Sequence, residues 1–234
     1  MLKNFLTRMY GAASDLNRAN LVALLQEGAR GPVECLLDIG CDDGDWTSEL
    51  AKATGAGEAH GVEIVPEAAA RAAARGIQVW GLNANEGLRG VPSDYFDAVH
   101  SNQVIEHVTN VDTFVSEIYR VLRPGGYAVV STENGSSWHN VGAAAIGWQI
   151  FSLTNVSERV AGLGNPWALQ RGKEAFASSW THKTIFNYRG LLELFEVHGF
   201  RELTMRGAGY FPLPARLGRV DVRHSAFITI GARK

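Results

Sequence analysis

Glycine and aspartate residues near the start of the chain have the spacing of a ligand-binding turn. Residues 35–39 form an apolar segment broken only by Asp38, and Gly40 and Gly44 follow it. The apolar stripe that begins at Trp46 predicts that a helix starts directly after these glycines. In an open α/β sheet, ligands bind beyond the carboxyl ends of the strands, at turns of this kind. We therefore expect a strand, a tight turn and a helix arranged around a ligand.

The acids of this turn restrict what the ligand can be. Asp42, Asp43 and Asp45 lie at the predicted helix N-terminus, where their charge favours the helix but repels a pyrophosphate. The glycine spacing also differs from the G-x-G-x-x-G of dinucleotide sites. A nucleoside without phosphates and with positive charge fits better, and S-adenosylmethionine meets this description. A tight turn that binds no ligand remains an alternative at this point, because glycine turns are common.

Three segments together resemble one enzyme family. Residues 37–44, with the sequence LDIGCDDG, resemble the first motif of the class I, Rossmann-like S-adenosylmethionine-dependent methyltransferases. Residues 96–108 resemble the fourth strand and following loop of that family, and residues 118–126 resemble its next helix and turn. The resemblance covers about residues 34–134. It implies an α/β fold with a seven-stranded, mainly parallel sheet, an antiparallel last strand and helices on both faces.

The same resemblance assigns residues to the cofactor. Asp42 departs from the family motif, because it stands where the middle glycine lets the backbone approach the cofactor. Glu63 closes the second predicted strand, where a carboxylate can accept both ribose hydroxyls. Asn83 takes the place of the acid that holds the adenine amine, although an ordinary turn asparagine is an alternative. The expected cofactor-binding residues are Asp38, Gly40, Gly44, Glu63, Ile64, Asn83, Ala84, Ser101 and Asn102.

Methyl transfer from a sulfonium is an in-line displacement in which the cofactor supplies the electrophile. The protein mainly aligns the reactants and excludes water. A hydroxyl acceptor also needs a general base, for which the candidates are His107, His139 and His182. A loop-organising or surface histidine is an alternative for each of them. No spacing such as H-E-x-x-H is present, so we expect no metal site.

Alternating strand and helix patterns predict crossover units and a mainly parallel sheet. The expected strands are residues 35–39, 59–65, 77–82, 96–101 and 127–132, with an antiparallel pair at residues 201–205 and 226–232. The expected helices are residues 46–54, 66–75, 111–122 and 184–198, preceded by a helix from Ser14, as N-cap, to about Glu27.

The whole chain, residues 1–234, is expected to be a single methyltransferase domain with an N-terminal helical segment at residues 1–32. Residues 134–183 interrupt the pattern and predict an insertion that covers the acceptor as a lid. Its four tryptophans suit sugar rings and flat aglycones, but they can equally form a small core of the insertion. A weaker resemblance to bacterial methyltransferases of polysaccharide or glycan synthesis rests on short Trp-His-Asn and Thr-His segments and on residues 209–214.

Composition restricts the function class. The 234 residues are 46% hydrophobic and 20% charged, which suits a packed domain. A net charge of −2 gives no sign of a nucleic-acid partner. Two cysteines, Cys35 and Cys41, cannot form a disulfide framework, which favours a cytoplasmic protein. No apolar run is long enough to span a membrane.

We therefore expect a cytoplasmic enzyme that transfers a methyl group from S-adenosylmethionine to a small molecule, at oxygen, with a sugar or glycan precursor as one acceptor class. The product of the cofactor is S-adenosylhomocysteine. A homodimer is left open. The alternatives are a non-catalytic S-adenosylmethionine-binding subunit and an NAD-dependent oxidoreductase. The missing G-x-G-x-x-G argues against the oxidoreductase.

Overall fold

A computed structural model describes residues 2–173 and 178–234 of the chain. Seven strands in these residues form one sheet in the order β3-β2-β1-β4-β5-β7-β6. The strands are β1 (Cys35–Ile39), β2 (Glu58–Val62), β3 (Gln78–Trp80), β4 (Phe96–Asn102), β5 (Leu122–Glu133), β6 (Arg201–Ala208) and β7 (Phe227–Arg233). The α-helices are α1 (Leu2–Gly28), α2 (Asp45–Thr54), α3 (Pro66–Ala74), α4 (Val111–Val121), α5 (Trp138–Ala145) and α6 (Tyr188–Val197).

The sheet is parallel except for its last strand. Strand β1 pairs in parallel with both β2 and β4, whereas β7 runs antiparallel to its neighbours β5 and β6. This confirms the expected seven-stranded, mainly parallel sheet with an antiparallel last strand. The strand order changes direction between β1 and β4, so the carboxyl ends of these two strands border the crevice where open α/β sheets bind ligands.

Both faces of the central strand are covered, which explains its nearly continuous apolar sequence. Leu37 packs with Phe114 and Ile118 of α4 in the larger core cluster. Leu36, on the opposite face, packs with Leu21 of α1 in a second cluster. Helices therefore lie on both faces of the sheet, as expected.

The first helix begins thirteen residues earlier than its sequence pattern indicates, at Leu2 instead of directly after Ser14. The expectation that Ser14 is the N-cap was wrong, because packing against β7 extends the helix. Ala13 is buried in a cluster with Phe227, and the Tyr10 ring contacts the Phe227 ring edge-on at 5.8 Å. This extension matters for function, because it places Tyr10 beside the carboxyl ends of the strands.

The other differences from the expected elements lie at their ends. Strand β5 already begins at Leu122, and its register with β4 shifts at the Pro124-Gly125-Gly126 turn. Helix α6 is shorter than residues 184–198, and β6 is longer than residues 201–205. Helix and strand ends depend on hydrogen bonds to neighbouring elements, which residue patterns do not specify.

The insertion at residues 134–183 contains α5 and short 3-10 turns, and its residues 174–177 lie outside the described part of the chain. Asn134 Nδ2 ties it to the segment before β7 by donating to the Ser225 carbonyl at 2.8 Å, and Asn140 Nδ2 braces it internally by donating to the Asn134 carbonyl and to Ser152 Oγ. Its Trp148 and Trp167 rings meet edge-on at 5.1 Å. Among the described helices, none combines the length and the apolar character that crossing a membrane requires.

Candidate functional site

The glycine turn has a left-handed backbone at three positions. Gly40 and Gly44 both have φ +82°, and Asp42 has φ +46°. Aspartate is one of the few side chains that tolerate this conformation. The Asp42 side chain is exposed and lies 3.9 Å from Arg71, while its backbone N–H donates to Glu63 Oε2 at 3.0 Å. The turn therefore keeps a glycine-like backbone at Asp42, with the side chain directed to solvent.

The two glycines serve different contacts. A Cβ at Gly40 would collide with the side chain of Val104, in the loop after β4. A Cβ at Gly44 would lie 3.0 Å from Ala72 and would collide with Ile77, so that position allows close packing between the turn and α3. Gly40 lines a cavity, whereas Gly44 holds the turn in place.

Asp38, the acid of the motif, is buried and fully engaged. Its Oδ2 accepts a hydrogen bond from Thr47 Oγ1 at 2.6 Å, and its Oδ1 lies 2.7 Å from His100 Nδ1. Only 2% of its surface is exposed. Asp38 thus ties β1 to α2 and β4. Sequence reasoning could not find the His100 partner, because it lies on another strand.

Ser101 and Asn102 lie at the carboxyl end of β4, beside β1. Ser101 is buried and donates its hydroxyl to the Ile39 carbonyl at 3.0 Å. Asn102 Oδ1 accepts from Asn17 Nδ2 of α1 at 3.1 Å. Both therefore stand at the point where the strand order changes direction, although their side chains are used in contacts between elements.

A first cavity of about 350 Å³ lies beyond the ends of β1, β2 and β3, and we call it the nucleoside cavity. Its walls include five of the nine expected cofactor residues: Gly40, Glu63, Ile64, Asn83 and Ala84. His107 and Lys183 also line it. The structure thus brings these five residues together, while Asp38, Gly44, Ser101 and Asn102 lie outside its lining.

Glu63 is the main polar group of the nucleoside cavity. Its two carboxylate oxygens accept from the backbone N–H groups of Asp42, at 3.0 Å, and Val65, at 2.8 Å. A carboxylate offers about four lone-pair sites, so each oxygen can accept one more hydrogen bond. Two adjacent ribose hydroxyls supply two such donors, which fits an adenosine in this cavity.

Asn83 uses its amide locally. Its Oδ1 accepts from the Asn85 backbone N–H at 3.1 Å, and its Nδ2 donates to Glu86 Oε1 at 2.9 Å. These contacts cap a short 3-10 turn at Ala84–Glu86. Asn83 therefore acts as a turn asparagine, as the alternative reading of the sequence has it, and it also lines the nucleoside cavity.

A second cavity of about 450 Å³, the apolar cavity, is built by the insertion together with α1 and β7. Its walls are mainly aromatic and aliphatic, and its polar groups include Tyr10, Glu133 and His139. His139 packs edge-on against Phe151 at 5.3 Å and Phe211 at 4.9 Å. Burial lowers the pKa of His139 to about 4 and is the main reason that the pKa of Tyr10 rises to about 12. Both side chains are therefore uncharged at neutral pH.

The low pKa of His139 makes folding depend on pH. An unfolded histidine has a pKa of about 6.5, so between pH 6.5 and 4 the unfolded chain binds a proton that the folded chain excludes. This contribution destabilises the protein as the pH falls. When the pH is lowered from 7 to 5, we expect the free energy of unfolding to decrease in both proteins. The decrease should be about 2 kcal/mol smaller in His139→Phe than in the wild type. Urea titrations at both pH values measure it, and equal losses in the two proteins would contradict it.

Four ionisable side chains lie between the two cavities, and we call Glu106, His107, Glu133 and His182 the carboxylate–histidine cluster. His107 lines the nucleoside cavity and Glu133 lines the apolar cavity. The His107 and His182 rings lie 4.8 Å apart, and His182 Nδ1 lies 3.9 Å from Glu133 Oε2. The cluster therefore connects the place for a cofactor with the place for a second substrate.

Burial controls the protonation of two members of the cluster. Glu106 is fully buried, and burial raises its pKa to about 8. Burial, with the nearby His182, lowers the pKa of His107 to about 4. The sequence predicts His107 and His182 as candidate bases, but it does not indicate Glu106 or Glu133. Glu106 directly precedes His107 within the family-like segment 96–108, and this position in the sequence could have indicated that it belongs to the site.

The expectation that there is no metal site rested on sequence spacing, and the fold brings together side chains that are far apart in the sequence. Candidate ligand atoms of Glu106, His107 and His182 all lie within 4.8 Å of one another. A spacing motif cannot reveal this group, because His182 comes from a distant segment. A second group of the same kind joins Cys35, Glu58 and His60, near the start of β1 and on β2.

Comparisons with known proteins identify the family. A family model described as a methyltransferase domain matches residues 10–204. A ubiquinone biosynthesis O-methyltransferase of Bradyrhizobium sp. is 32% identical over 123 residues, which cover 48% of this chain and 44% of the relative. This match thus spans less than half the length of that relative.

Solved structures share the fold. A methyltransferase of Thermotoga maritima, described as a possible histamine N-methyltransferase, has a TM-score of 0.61 at 20% identity and covers 99% of this chain and 97% of its own. A phosphoethanolamine N-methyltransferase of Haemonchus contortus, in complex with S-adenosyl-L-methionine, has a TM-score of 0.60 at 17% identity. The match covers 92% of this chain and 52% of that protein. The chain belongs to the methyltransferase-domain family, and it shares its fold with the S-adenosylmethionine-dependent methyltransferases among these structures.

Proposed function

We propose that the protein transfers the methyl group to a hydroxyl oxygen of a small, largely apolar acceptor bound in the apolar cavity. The observation that carries this proposal is the carboxylate–histidine cluster between the two cavities. A hydroxyl is a weak nucleophile until its proton is removed, so an oxygen acceptor requires such groups. The ubiquinone biosynthesis O-methyltransferase relative supports transfer to oxygen.

The cofactor is proposed to bind with its adenosine in the nucleoside cavity. Glu63 accepts the ribose hydroxyls, Ile64 and Ala84 contact the adenine, and Asn83 lies at its edge. Gly40 lets the chain approach the cofactor closely. The remaining expected residues act at the methionine end of the site: Ser101 and Asn102 border it, while Asp38 and Gly44 position the turn.

The walls of the apolar cavity favour an aromatic or alkyl-substituted acceptor over a sugar. A sugar carries several hydroxyl groups, each of which needs a hydrogen-bond partner when it is buried. The polar side chains Tyr10, Glu133, His139 and Gln170 are few beside aromatic walls such as Trp138, Phe151 and Trp167. A phenol or catechol with an apolar substituent matches this lining, and the glycan precursor becomes the less favoured acceptor class.

The side chains of the site have distinct proposed roles. Neutral His139 and Tyr10 orient the acceptor by hydrogen bonds, and the aromatic walls exclude water. Glu133 accepts the proton of the hydroxyl, with His182 beside it and His107 packed against His182. When bound, S-adenosylmethionine supplies the methyl group and leaves as S-adenosylhomocysteine.

An acceptor panel tests the proposed reaction. The full chain is incubated with methyl-labelled S-adenosylmethionine and matched sets of alkylcatechols, sugar nucleotides and primary amines, and the products are identified by mass spectrometry and NMR. We expect methyl ethers of the alkylcatechols. Methylation only of the amines or of the sugars would contradict the proposal.

Filling the apolar cavity should block the acceptor selectively. Gly142 lines this cavity, and a Cβ there would meet no atom within 4 Å. Gly142→Phe is expected to raise the KM for the acceptor by about tenfold or more, because the new ring occupies its volume. The affinity for S-adenosylhomocysteine should stay unchanged. Val141→Phe, at the exposed neighbouring position, is the matched control; an equal effect of both variants would contradict this role for the cavity.

A further inference from the structure

The main chain holds two histidines and one glutamate of the cluster in a fixed arrangement. Glu106 and His107 follow β4, whereas His182 ends the insertion. The backbone N–H groups of Lys183 and Thr184 both donate to the Glu106 carbonyl, at 2.7 and 3.1 Å. The two segments are therefore joined directly at the cluster, and its candidate ligand atoms lie within 4.8 Å of one another.

Both histidines have one ring nitrogen committed to a backbone carbonyl. His107 Nδ1 lies 3.2 Å from the Thr181 carbonyl oxygen, and His182 Nδ1 lies 2.5 Å from that of Ser152. A carbonyl can only accept, so each Nδ1 carries a proton and Nε2 is the nitrogen that remains for a metal ion. Metal-binding histidines in proteins typically have this arrangement, because the outer hydrogen bond fixes the tautomer and the ring orientation.

Glu106 presents a carboxylate oxygen that lacks a partner. The residue has no exposed surface, and its Oε2 accepts from Thr132 Oγ1 at 2.9 Å. Its Oε1 is buried without a hydrogen-bond partner among the described residues. Leaving a buried carboxyl oxygen unpaired is costly, and a cation beside it would favour the ionised form and remove that cost.

We propose that Glu106, His107 and His182 bind one divalent transition-metal ion of the zinc class, which in turn binds the hydroxyl of the acceptor. This inference rests on the proposed function. Two imidazoles and one carboxylate are a ligand set of zinc and related ions that leaves coordination positions open for a substrate. Magnesium and calcium prefer oxygen ligands, so the two histidines argue against them. The site lies between the two cavities, where an acceptor oxygen has to meet the methyl group.

The ion would activate the hydroxyl without any oxidation or reduction. A bound zinc-class ion lowers the pKa of a coordinated hydroxyl, as it does for water. The proton passes to the Glu133 carboxylate, which lines the apolar cavity. The oxygen then forms a bond to the methyl carbon while the carbon–sulfur bond breaks. The electron pair of the broken bond stays on the sulfur, which becomes a neutral thioether.

Metal binding can be measured without an assay of activity. The full chain is treated with a chelator, dialysed and titrated with Zn²⁺ by calorimetry and with Co²⁺ by visible absorption. We expect one ion per chain in both titrations. Glu106→Gln and His182→Gln should weaken binding by more than about 100-fold, beyond the effect of losing an outer hydrogen bond alone. His139→Gln, which changes a half-buried histidine outside the ligand group, is the matched control and should bind normally.

The possible failures are distinguishable. The absence of Zn²⁺ and Co²⁺ binding by the wild type would overturn the metal site. So would wild-type metal affinity in the Glu106→Gln and His182→Gln variants, provided that they keep the wild-type circular dichroism spectrum. Undiminished methyl transfer by the chelator-treated wild type would also overturn it, while leaving the proposed function intact. Methyl transfer to a class of acceptor other than hydroxyl compounds would instead contradict the proposed function.

Discussion

Glu63→Ala is expected to weaken the binding of S-adenosylhomocysteine by about 100-fold or more. The substitution removes two hydrogen bonds to a charged acceptor, each of which contributes about 1.5–3 kcal/mol. It also releases the backbone N–H groups of Asp42 and Val65, which Glu63 holds in the turn. Isothermal titration calorimetry measures the loss directly.

Two further variants separate binding from folding. Glu63→Gln keeps one oxygen acceptor and should lose less affinity than Glu63→Ala. Glu67→Ala changes an exposed acid at the start of α3 and should bind normally. Unchanged affinity in Glu63→Ala, with a normal thermal unfolding curve, would remove Glu63 from the cofactor site.

His182→Gln is expected to lower kcat by about 100-fold or more while the affinity for S-adenosylhomocysteine stays within about twofold, because groups that assist proton removal typically contribute 10²–10⁴-fold. His182 lies between Ser152, Glu133 and His107, and it does not line the nucleoside cavity. Steady-state kinetics with an acceptor that the wild type methylates measure the effect.

His198→Gln is the matched control for this substitution. His198 caps α6 by a hydrogen bond to the Leu194 carbonyl at 2.7 Å and lies outside the cluster. It should keep the wild-type kcat. Full activity of His182→Gln would show that the cluster does not activate the acceptor, and a parallel loss in both variants would point to a general effect on folding.

Local features of the site could be predicted from the sequence. Gly40 and Gly44 require left-handed backbone, and a glycine pattern reports this directly. Glu63 follows from its place at a strand end, because parallel strands end at the same edge of a sheet. The alternation of strands and helices predicts the parallel sheet, and the turn-rich connection between the last two strands predicts the antiparallel β7.

Contacts between distant segments could not be predicted in this way. Asp38 was assigned to the cofactor, but its partner His100 lies on another strand and holds it in the interior. Tyr10 reaches the apolar cavity only because α1 extends over β7. Glu133 and His182 meet through the course of the insertion, which has no regular periodicity.

The lid action of residues 134–183, a cytoplasmic location, the lack of a nucleic-acid partner and a homodimer stay predictions. The lid has the clearest structural basis, because the insertion supplies most of the aromatic wall of the apolar cavity.

A crystal structure with S-adenosylhomocysteine and an alkylcatechol tests the central claim most directly. We expect the ribose hydroxyls on Glu63, the alkyl group in the apolar cavity, and one catechol oxygen between the sulfur and the carboxylate–histidine cluster. An acceptor bound away from this cluster, or an adenosine outside the nucleoside cavity, would contradict the account.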